Sequence, residues 1–541
     1  NERYDAIAAV CDHCVRRSTR GMTTTQKIDR IVTNRVLGIP IFIAVMFVVY
    51  YLAVSIGGGI VTDWANDGIS GDGWLYTGGA AYDQAVEEWE GAMVEAEESG
   101  ATPAQLELLA EEEPDPSSGE YGLWIPGLAP VATDVLESAG AAPWVVGLIV
   151  DGIIAGVGAV IGFIPQLVIL FLLLGFLEGC GYMARVAFIM DRVFRRFGLS
   201  GKSFIPMLIA SGCGVPAVMA TKTIENEKDR RMTIMTTTMI PCGAKLPIIA
   251  LVFGALAGSD YESTWWVAPL FYFMGLAAII ISCIILKKFR AFAGGVAPFI
   301  MELPAYHLPT VRNVLLSMWE RVKSYIVKAG TIIFLSTIVI WFLMNFGVYD
   351  GAFGLLDADM EGYLDYSLMA ALGNLLAWVF APLGFGNWES TVTSITGLVA
   401  KENVVATVGI LTQLGEVGET DPTLWEGFAL MLGGSSAAIM AFCAFNLLCA
   451  PCFAAIGTIR RQMMSAKWTW ATIGYMCAFA WCVGLLIYQL GGLAAGEVAF
   501  NAWTVVALAV AAGLLFLLFR PTPRYDDASR QARLEARPDN V

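Results

Sequence analysis

The sequence predicts an all-α polytopic membrane protein with about ten transmembrane helices, some of them broken or re-entrant. Three observations carry that prediction. The 541 residues are 57% hydrophobic and 15% charged, with a mean hydropathy of +0.63, against roughly 25% charged residues in an average soluble domain. Apolar runs of about 20 residues, each long enough to cross a hydrocarbon core of about 30 Å, recur from Val36 almost to the C-terminus. Short basic stretches separate the runs, at Arg16–Arg35, Arg192–Lys202, Lys222–Arg231, Lys287–Arg290, Arg312–Lys328, Arg460–Lys467 and Arg520–Arg524. A soluble globular protein is excluded.

The net charge of −15 resolves once it is divided along the chain. Residues 58–142 hold 18 Asp or Glu and no Lys or Arg, leaving 33 basic against 30 acidic residues elsewhere. The positive-inside bias then puts the basic stretches in the cytoplasm. The spans are expected at 36–56, 144–177, 232–257, 264–286, 326–348, 366–383, 391–414, 423–458, 468–490 and 501–519, with both termini cytoplasmic. The segments left outside are 58–142, Ser259–Glu262, Asp350–Asp365, Glu416–Asp421 and Gly491–Glu497, all acidic or neutral. The acidic insertion either concentrates cations near the outer face or only keeps a lobe soluble. None of the 11 cysteines lies in it, so a disulfide scaffold is not expected. No cleavable signal is apparent, and a start at Asn1 is expected of a fragment of a longer chain.

Phe204–Ala220 is apolar but has basic stretches on both sides, so it should dip into the membrane and return. Pro206, Gly212, Gly214 and Pro216 support this, because non-helical backbone at membrane depth survives only inside protein or along a wet cavity. Two runs are too long for one straight crossing. Residues 144–177 carry Asp151 and Pro165, and 423–458 carry Gly433, Gly434 and Pro451. Broken helices in two parts of a chain point to a transporter-type binding site.

The candidate ligands stand at these breaks. Cys213 in SGCGVP, Cys242 in IPCGAKLP and Cys452 in APCFAAIG each lie next to or close to proline. Proline frees backbone carbonyls and a thiol adds a soft ligand, a combination suited to Fe²⁺, Cu⁺ or Zn²⁺ rather than Na⁺ or Mg²⁺. Cys283, Cys443, Cys477 and Cys482 sit in ordinary apolar context and read as packing. Glu178 ends an apolar run, where a carboxylate costs about 2.5–3.5 kcal/mol to insert. It is a fourth candidate, either on the ion path or paired with Arg185 two helical turns on. Glu225 and Glu227 read as a solvated turn, and Lys401 with Glu402 as a charge pair at an inner helix boundary. The methionines at 183, 190, 207, 219, 235 and 239 read as core filler. CDHC at Cys11–Cys14 lacks a second pair and fits an amphipathic surface as well as a metal site. With only His13 and His307 present, a histidine-rich metal site is excluded. GLSGKS at Gly198–Ser203 imitates a phosphate loop, but Arg196 stands where that loop needs glycine.

The words FLEGCGYMAR, SGCGVPA, ENE and IPCGAKLP between Phe176 and Pro247, followed by GLVAKENVV at Gly397–Val405 and PCFAAIGTIRRQ at Pro451–Gln462, resemble the transmembrane part of ferrous iron transport protein B (FeoB). The family's words read much like LEDSGYMAR, GCNVPA, ENE and Cys-x-Ala-Arg-Leu-Pro. The sequence departs from them at Gly179 and Cys180 (Asp-Ser in the family), Gly214 (Asn), Lys245 (Arg) and Gln462 (Glu). The resemblance covers nearly the whole chain apart from the acidic insertion and the tail. It implies two Gate-type repeats, Fe²⁺ as transported ion rather than as cofactor, and no enzymatic chemistry in this chain. It also implies GTP and Mg²⁺ acting only through an N-terminal GTPase domain that this sequence does not contain, with a small accessory protein as a further partner.

The expected organisation is an amphipathic cytoplasmic segment (1–35), a first transmembrane helix (36–57), the acidic extracytoplasmic insertion (58–142), a first Gate half (143–290), a connecting amphipathic segment and helix (291–365), a second Gate half (366–466), two last helices (467–520) and a cytoplasmic tail (521–541). The expected function is Fe²⁺ uptake across the cytoplasmic membrane through a path lined by Cys213, Cys242 and Cys452, with Glu178 near it. A homo-oligomer is compatible with the sequence, and no nucleic-acid partner is expected. Two alternatives stand beside this reading. One is a Gate-type nucleoside transporter using polar groups such as Asn387, Glu389 and Asn403; the other is a membrane receptor or scaffold that moves nothing.

Overall fold

The computed structural model describes residues 24–34, 37–53, 61–70, 73–75, 122–162, 164–196, 201–257, 267–292, 305–349, 352–356, 362–412 and 421–521, with a few isolated positions besides. The protein is an all-α membrane protein; among the described residues the only strands are two short antiparallel pairs, Gly73–Leu75 with Trp124–Pro126 and Phe346–Tyr349 with Ala352–Leu355. Three helices are long and apolar enough to cross a membrane, Pro269–Lys287, Ala466–Ala495 and Ala502–Phe519, close to expected spans. The last of these is apolar all round and exposes Val505, Leu508, Leu515 and Phe516, as a lipid-facing helix does. Three bent pairs, counted as one span each, bring the number to 6 among the described residues.

The bent pairs are α1 (Ile164–Gly179) with α2 (Tyr182–Arg196), Leu368–Leu383 with Trp388–Val399, and Pro422–Met431 with Ser436–Leu448. The first pair bends by 78° at Gly181, which adopts φ +82°. A side chain is strained in that left-handed region, so the glycine sets the bend. Helices α3 (Phe204–Ala210) and α4 (Gly214–Ala220) follow; they pack on one another and are separated by a turn at Ser211–Cys213. This is the break that the Gly and Pro residues of Phe204–Ala220 predict.

In the second half, α5 (Leu368–Phe380) and α6 (Trp388–Val399) meet at 98° where Gly384 takes φ +89°. A Cβ on Gly384 would lie 2.2 Å from the Tyr488 ring, so steric room as well as backbone conformation excludes a larger residue. The helices α7 (Pro422–Met431) and α8 (Ser436–Leu448) meet at 97°, next to Gly433 and Gly434. Side-chain caps begin several of these helices: Ser367 accepts from Ala370, Asp421 from Thr423 and Ser435 from Ala438.

Two expected spans are not continuous. Residues 232–257 divide into Glu227–Thr237 and Leu246–Ala257, with Ile240–Cys242 irregular between them. Residues 391–414 divide at Ala400–Glu402, between α6 and the helix Asn403–Leu411, although no Pro or Gly stands there. Ala400 is extended at φ −144° and ψ 138°, close to the −152° and 133° of Cys213. Among the described residues, each half therefore contains more than one broken helix. The halves also interlock: Leu246–Ala257 packs on α7, α8 and Asn403–Leu411, and α4 packs on the helix Phe453–Met463. One apolar core runs through both, including Met207, Met239, Val252, Phe271, Val404, Phe442 and Met476.

Candidate metal path

Each of the three candidate cysteines occupies the position just before a helix. Cys213 precedes α4, Cys242 precedes the short turn Gly243–Lys245, and Cys452 precedes the helix Phe453–Met463, all with extended or near-extended ψ of 133° to 173°. At such a position the backbone leaves its regular ladder, and the first helical amides point outward. Gly243 N–H donates to the Gly212 carbonyl at 3.2 Å, tying the Cys242 turn to the Cys213 turn.

Packing and charge then bring the halves together. Cys213 and Cys452 pack, with Met219 and Tyr325, on the same small cluster of Val215, Ala454 and Ala455. Cys213 lies within electrostatic reach of Cys242, Cys452 and Glu402, and the Tyr325 hydroxyl within reach of the same four groups. The first half thus supplies Cys213 and Cys242, and the second Cys452 and Glu402. Gln166 reaches the same turn, with its amide nitrogen 3.1 Å from the point where a Gly243 Cβ would stand. Among the described residues, no three His, Cys, Asp or Glu side chains converge to hold one ion simultaneously. The arrangement gathers soft and hard donors from both halves near one another without closing them into a cage.

Glu178 does not join the thiols. Its carboxylate pairs with Arg321 at 2.6 Å and is 61% exposed, beside a cleft of about 260 Å³ also lined by His307, Pro309 and Asn313. The expected pairing of Glu178 with Arg185 is incorrect for a physical reason: the seven-residue spacing assumes a continuous helix, and the chain bends at Gly181. Arg185 instead is fully buried, ion-paired with Asp29, hydrogen-bonded to the Gly181 carbonyl at 2.9 Å, and stacked 3.7 Å from the centroid of the Tyr306 ring.

Lys401 and Glu402 also differ from their expected role. Lys401 is 2% exposed and donates to Cys449 Sγ at 3.2 Å, so the pair stands at a helix boundary as expected, but at a break in the interior. A charge pair flanked by apolar runs looks the same in sequence in both places, and only the break at Ala400–Glu402 distinguishes them. Glu402, Tyr325 and Cys449 are the residues that sequence reasoning missed. Cys449, three residues before Cys452, carried the one available signal.

Outside the membrane the expected reading holds. Lys202 donates to Glu225 at 2.8 Å and Arg231 to Glu227 at 2.5 Å, both carboxylates largely exposed. The hydrogen bond from Lys202, and then its charge, hold the Glu225 carboxyl below the usual carboxylate range. Ser203 of the phosphate-loop mimic is buried and accepts from Thr233 at 2.9 Å. Of the CDHC segment only Cys14 is described, and it is exposed. About half of the acidic insertion lies outside the described residues.

Comparison with known proteins identifies the family. A family model described as Gate, nucleoside recognition, matches residues 160–256 and 326–466, and one described as ferrous iron transport protein B C terminus matches residues 268–321. All three candidate cysteines, Glu402 and Lys401 fall in the two Gate matches. The chain is 33% identical over 531 residues to an Fe(2+) transport protein A/Fe(2+) transporter FeoB fusion protein of Porphyromonas gingivalis, covering 91% of this chain and 54% of that protein. It is 31% identical over 470 residues to the Fe(2+) transporter FeoB of Staphylococcus aureus strain COL (87% and 59%), and 37% identical over 361 residues to that of Methanocaldococcus jannaschii (67% and 52%). The chain thus spans between half and three fifths of the length of these relatives. No solved structure matches. The chain belongs to the ferrous iron transport protein B family and carries its transmembrane, Gate-containing part.

Proposed function

We propose that this chain moves Fe²⁺ across the cytoplasmic membrane along a path lined by Cys213, Cys242 and Cys452. The single observation that carries the reading is that three helix-start thiols from two interlocked halves stand within electrostatic reach of one another, with Glu402 as the nearby carboxylate. Fe²⁺ is a borderline ion, and thiol sulfur with a carboxylate oxygen selects it over hard cations. Buried thiols lose their protons readily only when a cation replaces them, so binding couples to the ion's arrival. Glu178, at an exposed cleft next to His307, serves at a mouth of the path and not at its centre. Both termini are cytoplasmic in this reading. A GTPase domain, with GTP and Mg²⁺, regulates the path in the longer protein, and the fusion found in Porphyromonas gingivalis favours a small accessory protein as a partner.

A nucleoside path has less support. Asn387, the best amide for it, already donates to the Met431 carbonyl at 2.8 Å and accepts from Ser390. Anaerobic uptake of ⁵⁵Fe²⁺ and of labelled purine nucleoside into the same proteoliposomes separates the two. Iron without nucleoside is the expected result; nucleoside without iron contradicts the proposal.

A further inference from the structure

Two buried lysines stand beside this path and have no part in holding metal. Lys401 sits in the break at Ala400–Glu402 and donates to Cys449 Sγ at 3.2 Å. Lys245, 1% exposed, donates to the Thr238 carbonyl at 2.9 Å and across the halves to the Leu447 carbonyl at 2.5 Å. These are carbonyls at helix C-termini, where the backbone leaves acceptors unpaired and a cation is favoured. The charge of Lys245 faces Cys242, Cys449, Cys452 and Lys401. Lys401 also has a second place to go. A Cβ built on Gly397 would lie 3.8 Å from Lys401 Nζ and 3.6 Å from Asn446 Oδ1. That amide oxygen is fully buried and has no hydrogen-bond partner, so the ammonium and an unused acceptor both lie beside Gly397.

A buried ammonium with a thiol for its acceptor is costly to keep unless the charge has a use. A divalent ion at Cys452 or Cys242 meets two buried positive charges in a medium that screens poorly, and is bound more weakly than the donors alone would bind it. Weak binding is what a path requires, because an ion must leave as well as enter.

We propose that Lys401, supported by Lys245, is an affinity-determining residue: a tethered cation that rests on Cys449 when the path carries no metal and lowers the path's hold on its cargo. This rests on the thiol path proposed above. When a metal approaches the Cys449–Cys452 turn, the ammonium moves to Asn446 Oδ1, no proton is transferred from it, and its charge continues to oppose tight binding.

The test uses the whole chain, anaerobically, with Co²⁺ as a spectroscopic probe and ⁵⁵Fe²⁺ for uptake. In the unsubstituted chain Co²⁺ gives thiolate charge-transfer absorption. In Lys401→Gln the same absorption half-saturates at a concentration about tenfold lower, and uptake shows a lower KM together with a lower maximal rate. Lys401→Arg keeps both near the starting values. Lys245→Gln shifts both in the same direction and carries the test should Lys401→Gln fail to fold. A general packing defect would lower the rate without tightening binding. Unchanged or weaker Co²⁺ binding in the glutamine variants, with the absorption present, overturns the role of the lysines alone. Absence of the absorption in the unsubstituted chain overturns the thiol path and this inference with it.

Discussion

Arg185 shows how far a single side chain can join distant parts of this chain. It is fully buried, and it links the N-terminal helix Thr24–Val32 through Asp29, its own helix through the Gly181 carbonyl, and the segment before Val311–Tyr325 through the Tyr306 ring. The two members of the ion pair are unequal. Asp29 remains 20% exposed, so water can solvate it alone, whereas Arg185 cannot be solvated. Asp29→Ala is therefore expected to cost about 3 kcal/mol and Arg185→Met less, measured as loss of thermal stability in detergent. Equal losses would mean that the guanidinium finds another acceptor.

At the same scale, Glu225 offers a pH test outside the membrane. Its folded pKa is depressed by Lys202, so its small contribution is present above the unfolded value and is lost as pH falls through the folded one. In ¹³C spectra the Glu225 carboxyl should titrate below an ordinary glutamate, and Lys202→Met should return it to the ordinary midpoint. A midpoint that Lys202→Met leaves in place removes Lys202 as the cause. The thiols were legible in the sequence because each stands close to a proline at a helix break. The partners of Glu178 and Arg185 were not legible, because reading them required knowing that the chain bends at Gly181.

Among the elements, breaks marked by Pro or Gly were legible and breaks held by tertiary contacts were not. Phe204–Ala220 and Gly433–Gly434 break where the residues demand it. Ala400–Glu402 breaks in a sequence of good helix formers. There the chain is held by a contact far away in sequence, Lys401 to Cys449, and by Thr396 to Thr407 across the break at 2.9 Å, which no local pattern displays. The paired helices α3 and α4 are expected to enter the membrane from the cytoplasm and return. Cysteines introduced singly at Lys202 and Lys222, in a chain lacking its native cysteines, should both react only with a reagent supplied from inside. Reaction of one from each side would make Phe204–Ala220 a true crossing and would reverse the orientation of the segments after it.

For the molecule as a whole, the two halves are interlocked through one apolar core, with broken helices from each half meeting where the thiols lie. Composition and charge distribution made the membrane class legible, since 15% charged residues cannot cover a soluble surface. The interlocking depends on which helix of one half packs on which of the other, and periodicity within a helix contains no such information.

The central claim, that Fe²⁺ travels along the thiols, is tested most directly by anaerobic ⁵⁵Fe²⁺ uptake into proteoliposomes holding equal amounts of folded protein. Cys213→Ser, Cys242→Ser and Cys452→Ser preserve size and supply a harder, poorer ligand, so each should reduce uptake about tenfold or more. Cys477→Ser should transport as the unsubstituted chain does. Equal uptake by all four variants would contradict the account.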